Sequence, residues 1–184
     1  MDPQIKNFFV TGPPGCGKTT FLLNIKKELE SQGFKAGGFV TAEIRPERRR
    51  TGFTIHDLLS GEERVLAHIE SSSKKRVGKY GVSITNLEVV GVGSLKKSMA
   101  SEVDFVVIDE LGPMELFSLN LQYIIHRLLT SQKVVLGSIH YRSKHKFLLE
   151  VRARRDTLII EISRENREQK RIILENKILS LLAP

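Results

Sequence analysis

Two short stretches of this chain hold residue types whose spacing could do chemistry. Residues 12–19 read GPPGCGKT, and residues 107–110 read VIDE. In the first, Gly12, Gly15 and Gly17 surround Pro13, Pro14 and Cys16, and Lys18, Thr19 and Thr20 follow directly. Glycines keep side chains out of the way, so backbone N–H groups can close around an anion. The two prolines stiffen the loop. The spacing G-x-x-x-x-G-K-[ST], the Walker A pattern, is met by Gly12, Gly17, Lys18 and Thr19. In that pattern Lys18 neutralises the β- and γ-phosphates of a nucleotide, and the Thr19 hydroxyl coordinates Mg²⁺.

The second stretch supplies the complementary oxygens. Four apolar residues lead to Asp109 and Glu110. An aspartate at such a strand end can hold Mg²⁺ through water, the Walker B role. An acid directly after it is placed to orient or deprotonate a water that attacks the γ-phosphate. Ser138, in VVLGSIH, is a candidate contact to the γ-phosphate or that water. Arg142, Arg152, Arg154 and Arg155 are candidates for an arginine-finger contact. His140 and His145 are five apart, a poor spacing for shared metal ligation on a helix. DELG also matches the D-x-x-G of regulatory GTPases. The nearest guanine-reading candidate, NKIL at 176–179, lacks the aspartate of N-K-x-D.

These residues need elements to hold them. KNFFVTG reads as a buried strand ending in the glycine turn. Phe21, Leu22, Ile25 and Leu29 recur at helical spacing from Lys18 to about Gln32, and Gly33 fits a helix stop. Residues 37–70 show partial alternation and predict an antiparallel β-meander. SSSKKRVGKYGV, residues 71–82, predicts a loop, and residues 84–100 a helix. VDFVVIDELG reads as a central parallel strand, buried on both faces. Residues 118–131 predict an amphipathic helix with Leu121, Ile124, Ile125, Leu128 and Leu129 on one side. KVVLGSIH is a second buried strand, a basic helix is expected around 143–154, and TLIIEIS is a third strand. The last helix, 166–182, is expected to turn Ile172, Ile173, Leu179 and Leu182 inward. Strands alternating with helices define an α/β fold with a mostly parallel sheet, expected as one domain over residues 1–184.

Composition sets outer bounds. The 184 residues are 40% hydrophobic and 27% charged, ordinary for a soluble domain. No apolar run reaches bilayer length, no signal peptide is evident, and membrane association is not expected. The single cysteine, Cys16, excludes an internal disulfide and a cysteine-based metal cluster. A cytoplasmic monomer is the default. The net charge of +8 leaves nucleic acid open as a partner, although aromatics are few and tryptophan is absent.

The chain resembles the nucleoside-triphosphatases first described from thermophiles, which are related to the cancer-related nucleoside-triphosphatase of animals. The resemblance runs nearly end to end, through GPPGCGKTT, GGFVTAEIR, GFTI, RVGKYGV, VIDELGPMELFS, VLGSI and SRENR. It implies slow, Mg²⁺-dependent hydrolysis of several nucleoside triphosphates. It also implies a three-layer, RecA-like P-loop fold of the additional-strand, catalytic-glutamate type, with the meander as an insertion. Lys18, Thr19, Asp109 and Glu110 carry over as motif matches. The family commonly has a lysine where this chain has Pro113. Asn166, after the last strand, is a candidate base contact. Two other readings remain open: a nucleic-acid-associated ATPase, and a nucleotide or nucleoside kinase.

Overall fold

The structure is a computed structural model that describes residues 4–100 and 102–183. Met1–Pro3, Ser101 and Pro184 lie outside the described residues, and with them the ends of the expected 1–184 domain. Among the described residues nine strands join in one sheet, ordered β5-β6-β4-β3-β2-β7-β8-β1-β9. The strands are β1 (Asn7–Thr11), β2 (Ala36–Ile44), β3 (Gly52–Asp57), β4 (Glu63–His68), β5 (Arg76–Val77), β6 (Tyr80–Val82), β7 (Phe105–Leu111), β8 (Val134–Ile139) and β9 (Thr157–Glu161). The half β2-β7-β8-β1-β9 is parallel throughout. The other half is antiparallel. β8 is inserted between β1 and β7, the strands that carry the two chemical motifs. This is the additional-strand arrangement expected above.

Two layers of helices close over the sheet. α1 (Lys18–Ser31) and α6 (Arg167–Leu182) cover one face. The other face is covered by α2 (Ile84–Asn86), a π-helical stretch (Leu87–Val92), α3 (Gly93–Ala100), α4 (Leu119–Thr130) and α5 (Lys146–Ala153). Strand alternation divides the core between them. Phe8, Val10, Phe105 and Val107 pack toward α1 and α6, whereas Phe9, Val106 and Ile108 pack toward α4 and its neighbours. Both central strands are therefore apolar at consecutive positions. The buried stripes of α1 and α4 are those the spacing predicts. No helix among the described residues is long and apolar enough to cross a membrane.

The stretch 37–70 forms the expected antiparallel meander, β2-β3-β4, and its first strand, β2, also pairs in parallel with β7. Thus β2 belongs to both halves of the sheet. Two expectations are corrected. Residues 71–82 are not simply a loop. Val77 and Tyr80 pair across a two-residue turn, Gly78–Lys79, with Gly78 at φ +57°, so β5 and β6 form a hairpin that extends the antiparallel half. A glycine at the first turn position suits such a hairpin. In α6, Leu174 and Ile178 are buried, while Ile172 and Ile173 are 49% and 60% exposed. Residues 174 and 178 are one turn apart and face α1. Burying an aliphatic side chain contributes ~1.5–3 kcal/mol, so this pair sets the helix rotation. Arg171, paired with Glu168 and Glu175, lies beside that stripe.

Candidate nucleotide site

The loop between β1 and α1 opens at the C-terminal edge of the parallel strands. Gly15 and Gly17 have φ of +75° and +96°, the left-handed region that glycine enters without strain. Beside Gly17 lies the guanidinium of Arg167, the end of a flexible side chain, whose Nη1 donates to the Cys16 carbonyl at 3.4 Å. The N-terminus of α1 follows directly, so its free N–H groups and positive dipole end face the same space.

β8 brings the second motif to this loop. Its register pairs Ser138 with Val10 of β1 and Gly137 with Ile108 of β7. Past Ile108 the β7–β8 ladder becomes irregular, and this is where Asp109 and Glu110 stand. Lys18 Nζ lies 3.6 Å from Glu110 Oε2. Asp109 is almost fully buried and accepts a hydrogen bond from the Ser138 hydroxyl. Its other oxygen, Oδ2, is buried without a hydrogen-bond partner. Burial pushes the Asp109 pKa up, against the pull of Ser138, Thr19 and Lys18. Burial also raises that of Glu110, where Lys18 opposes the shift and Asp109 adds to it.

The loop forms one wall of a cleft of about 760 Å³. Thr41, Ala42 and Glu43 of β2, with Arg50 and Phe53, form a second wall. His140, Tyr141 and Arg142, after β8, form a third. Arg50 is held in place by Glu43 at 2.6 Å and by the Tyr80 hydroxyl at 3.0 Å, over the Phe53 ring. Burial, reinforced by Lys18 and Arg152, pushes the His140 pKa down, so this imidazole is neutral at pH 7.

The structure brings together most of the residues singled out from sequence. Gly12, Pro13, Pro14, Gly15, Gly17, Lys18, Thr19, Thr20 and Glu110 line the cleft, and Cys16 is buried behind it. Ser138 is fully buried and turned onto Asp109, so its hydroxyl orients that carboxylate instead of facing the cleft. Asn166 caps its own turn, accepting from Ser163 N at 2.9 Å, and does not line the cleft. Its neighbour Arg167 is the residue that reaches the loop. Of the four candidate arginines only Arg142 lines the cleft. Arg154 is bound to Asp156, and Arg152 donates to the His140 carbonyl at 2.8 Å. Arg155 is exposed. Pro113 lines a neighbouring groove with Phe117 and His145.

Glu115, in MELFS, is the next carboxylate to consider after Glu110. Its side chain is buried, and Oε2 accepts from Gly112 N at 3.0 Å. Burial, with Glu110 and Asp109 adding repulsion, pushes its pKa up to about 8. The folded protein therefore holds a proton on Glu115 between pH 4.5 and 8 that the unfolded chain releases. Stability from this group is complete below pH 4.5 and is lost as pH rises to about 8. Thermal unfolding of Glu115→Gln should show a gain over wild type that is larger at pH 8 than at pH 5. A difference that stays constant across that range would refute the protonated buried acid.

The fold and the loop define a P-loop nucleoside-triphosphate-binding protein with an additional strand between its two motif strands. The family model described as NTPase matches residues 7–179. The nucleoside-triphosphatase THEP1 of Thermofilum pendens is 41% identical, over 97% of this chain and 98% of that protein. The THEP1 protein of Methanosarcina acetivorans is 39% identical, over 94% and 97%. Among solved structures, the crystal structure of THEP1 from the hyperthermophile Aquifex aeolicus matches with a TM-score of 0.79 at 33% identity, covering 97% of this chain and 99% of that one. The solution structure of a human cancer-related nucleoside triphosphatase matches with a TM-score of 0.82 at 31% identity, covering 95% and 98%. The chain belongs to this family of nucleoside-triphosphatases.

Proposed function

We propose that this enzyme hydrolyses nucleoside triphosphates to nucleoside diphosphate and phosphate, depends on Mg²⁺, and discriminates little between bases. The observation that carries this reading is the convergence of Lys18, Glu110 and the unpartnered Asp109 Oδ2 at one glycine loop. Backbone N–H groups of the loop and the Lys18 ammonium bind the β- and γ-phosphates. Glu110, within reach of the same phosphate, orients a water and takes its proton as the water oxygen attacks. Lys18 and the α1 N-terminus stabilise the charge that develops on the departing diphosphate.

The residues fit a divalent cation. A buried carboxylate oxygen without a partner costs about 1–3 kcal/mol, and a cation would relieve it. Thr19 and Asp109 would hold Mg²⁺, which when bound neutralises phosphate charge. Mg²⁺ characteristically takes one or two protein carboxylates and completes its shell with water and phosphate.

The test is phosphate release from ATP with and without chelator, nucleic acid or a nucleoside acceptor. Release that needs Mg²⁺ and neither addition supports hydrolysis. Many-fold stimulation by nucleic acid would instead indicate a nucleic-acid-associated ATPase, and transfer to the acceptor a kinase. Base breadth follows from the contacts. Those named above reach the phosphates, which every nucleoside triphosphate shares. ATP, GTP, CTP and UTP should differ in kcat/KM by less than about a hundredfold, roughly 2.7 kcal/mol. A larger preference for one base would reveal a dedicated base pocket.

A further inference from the structure

Glu110 stands on an irregular strand end, and something must hold that end. The six residues after Leu111 turn back sharply. Leu116 N donates to the Gly112 carbonyl at 3.2 Å, and Phe117 N to the Met114 carbonyl at 3.3 Å. Glu115 closes the same turn from inside, through its 3.0 Å bond from Gly112 N. Gly112 lies between the two glutamates. A Cβ built on it would come 3.2 Å from Glu115 Oε2 and 3.6 Å from Glu110 Oε1. The two carboxyl groups therefore flank one glycine, one facing Lys18 and the other buried.

We infer that Glu115 is a positioning residue for Glu110: its buried carboxyl accepts from the Gly112 amide and fixes the turn that aims Glu110 at Lys18 and the attacked phosphate. Burial keeps this carboxyl uncharged, and Glu110 and Asp109 add repulsion to any charge on it. Lys18 is engaged by Glu110 at 3.6 Å. A second carboxylate charge beside Glu110 would repel it from that position. A neutral acid keeps the hydrogen-bond acceptor without the repulsion. The inference rests on Glu110 being the base proposed above.

Three variants test it. Glu115→Gln retains an acceptor for Gly112 N and carries no charge. It should hydrolyse ATP within about threefold of wild type. Glu115→Met fills the volume without a good acceptor, and Glu115→Ala empties it. Both should lose about a hundredfold in kcat, the scale of loss from a misplacement of roughly 1 Å, with KM for ATP little changed. Fluorescent-nucleotide titration and thermal unfolding, run on the same samples, establish that each variant is folded and binds. If Glu115→Met is folded, binds ATP and turns over at the wild-type rate, the inference is overturned. If Glu115→Gln loses as much as Glu115→Met, the carboxyl's own proton chemistry is needed, which also overturns it. Glu110→Gln, measured alongside, reports separately on the base. An active Glu110→Gln defeats the underlying mechanism whatever Glu115 does.

Discussion

Lys18→Ala should abolish hydrolysis and weaken triphosphate binding. The ammonium stands at the end of the glycine loop, 3.6 Å from Glu110 and largely shielded from water, with 13% of its side chain exposed. Removing it takes the loop's ammonium away from the phosphates. A hydrogen bond to a charged group contributes about 1.5–3 kcal/mol, so affinity for ATP falls about ten- to a hundredfold. The rate falls further, because charge on the departing diphosphate grows as the bond breaks and loses its nearest cation. Phosphate release should drop by at least about a thousandfold, while thermal unfolding shows an intact protein. Turnover near wild type would remove Lys18 from the mechanism and with it the reading of the loop.

Glu110→Gln separates two adjacent carboxylates. Glutamine keeps the size of the side chain and one acceptor oxygen but cannot take a proton. ATP should bind about as tightly as to wild type, while kcat falls by ~10²–10⁴. Asp109→Asn should behave differently. Asp109 is buried, accepts from the Ser138 hydroxyl, and keeps its other oxygen without a hydrogen-bond partner. An amide there brings N–H groups to a place suited to a cation. Binding of Mg²⁺-nucleotide and turnover should fall together. Titration of nucleotide affinity with and without Mg²⁺, beside steady-state hydrolysis, distinguishes the two patterns. Glu110→Gln turning over within a few-fold of wild type would show that another group activates the water.

Much of this site is legible in the chain because its signals are local. Gly12 to Thr19 are contiguous, and each position answers a requirement of one loop: glycine for left-handed backbone at Gly15 and Gly17, then a lysine and a hydroxyl at the start of a helix. Consecutive apolar residues mark β1, β7 and β8, because strands covered on both faces bury every side chain. The buried stripes of α1 and α4 follow from the 3.6-residue period in the same way. By itself, then, the sequence determined the phosphate loop, the two acids, the α/β class and the family.

What tertiary structure alone decided lies where the outcome depends on elements distant in the chain. Two-sided pairing of β2 with β3 and β7 requires knowing which strand ends beside which. In α6 several apolar stripes are available, and the position of α1 selects the one with Leu174 and Ile178. Ser138 reads as a cleft hydroxyl, yet register with β1 and β7 turns it onto Asp109. Arg167 reaches the loop 151 residues away because α6 starts behind it. Glu115 is one acid among 21 acidic residues in the chain. Only burial beside Glu110 distinguishes it, since a carboxyl's charge state is set by the solvent and charges around it, and those are assembled by the fold.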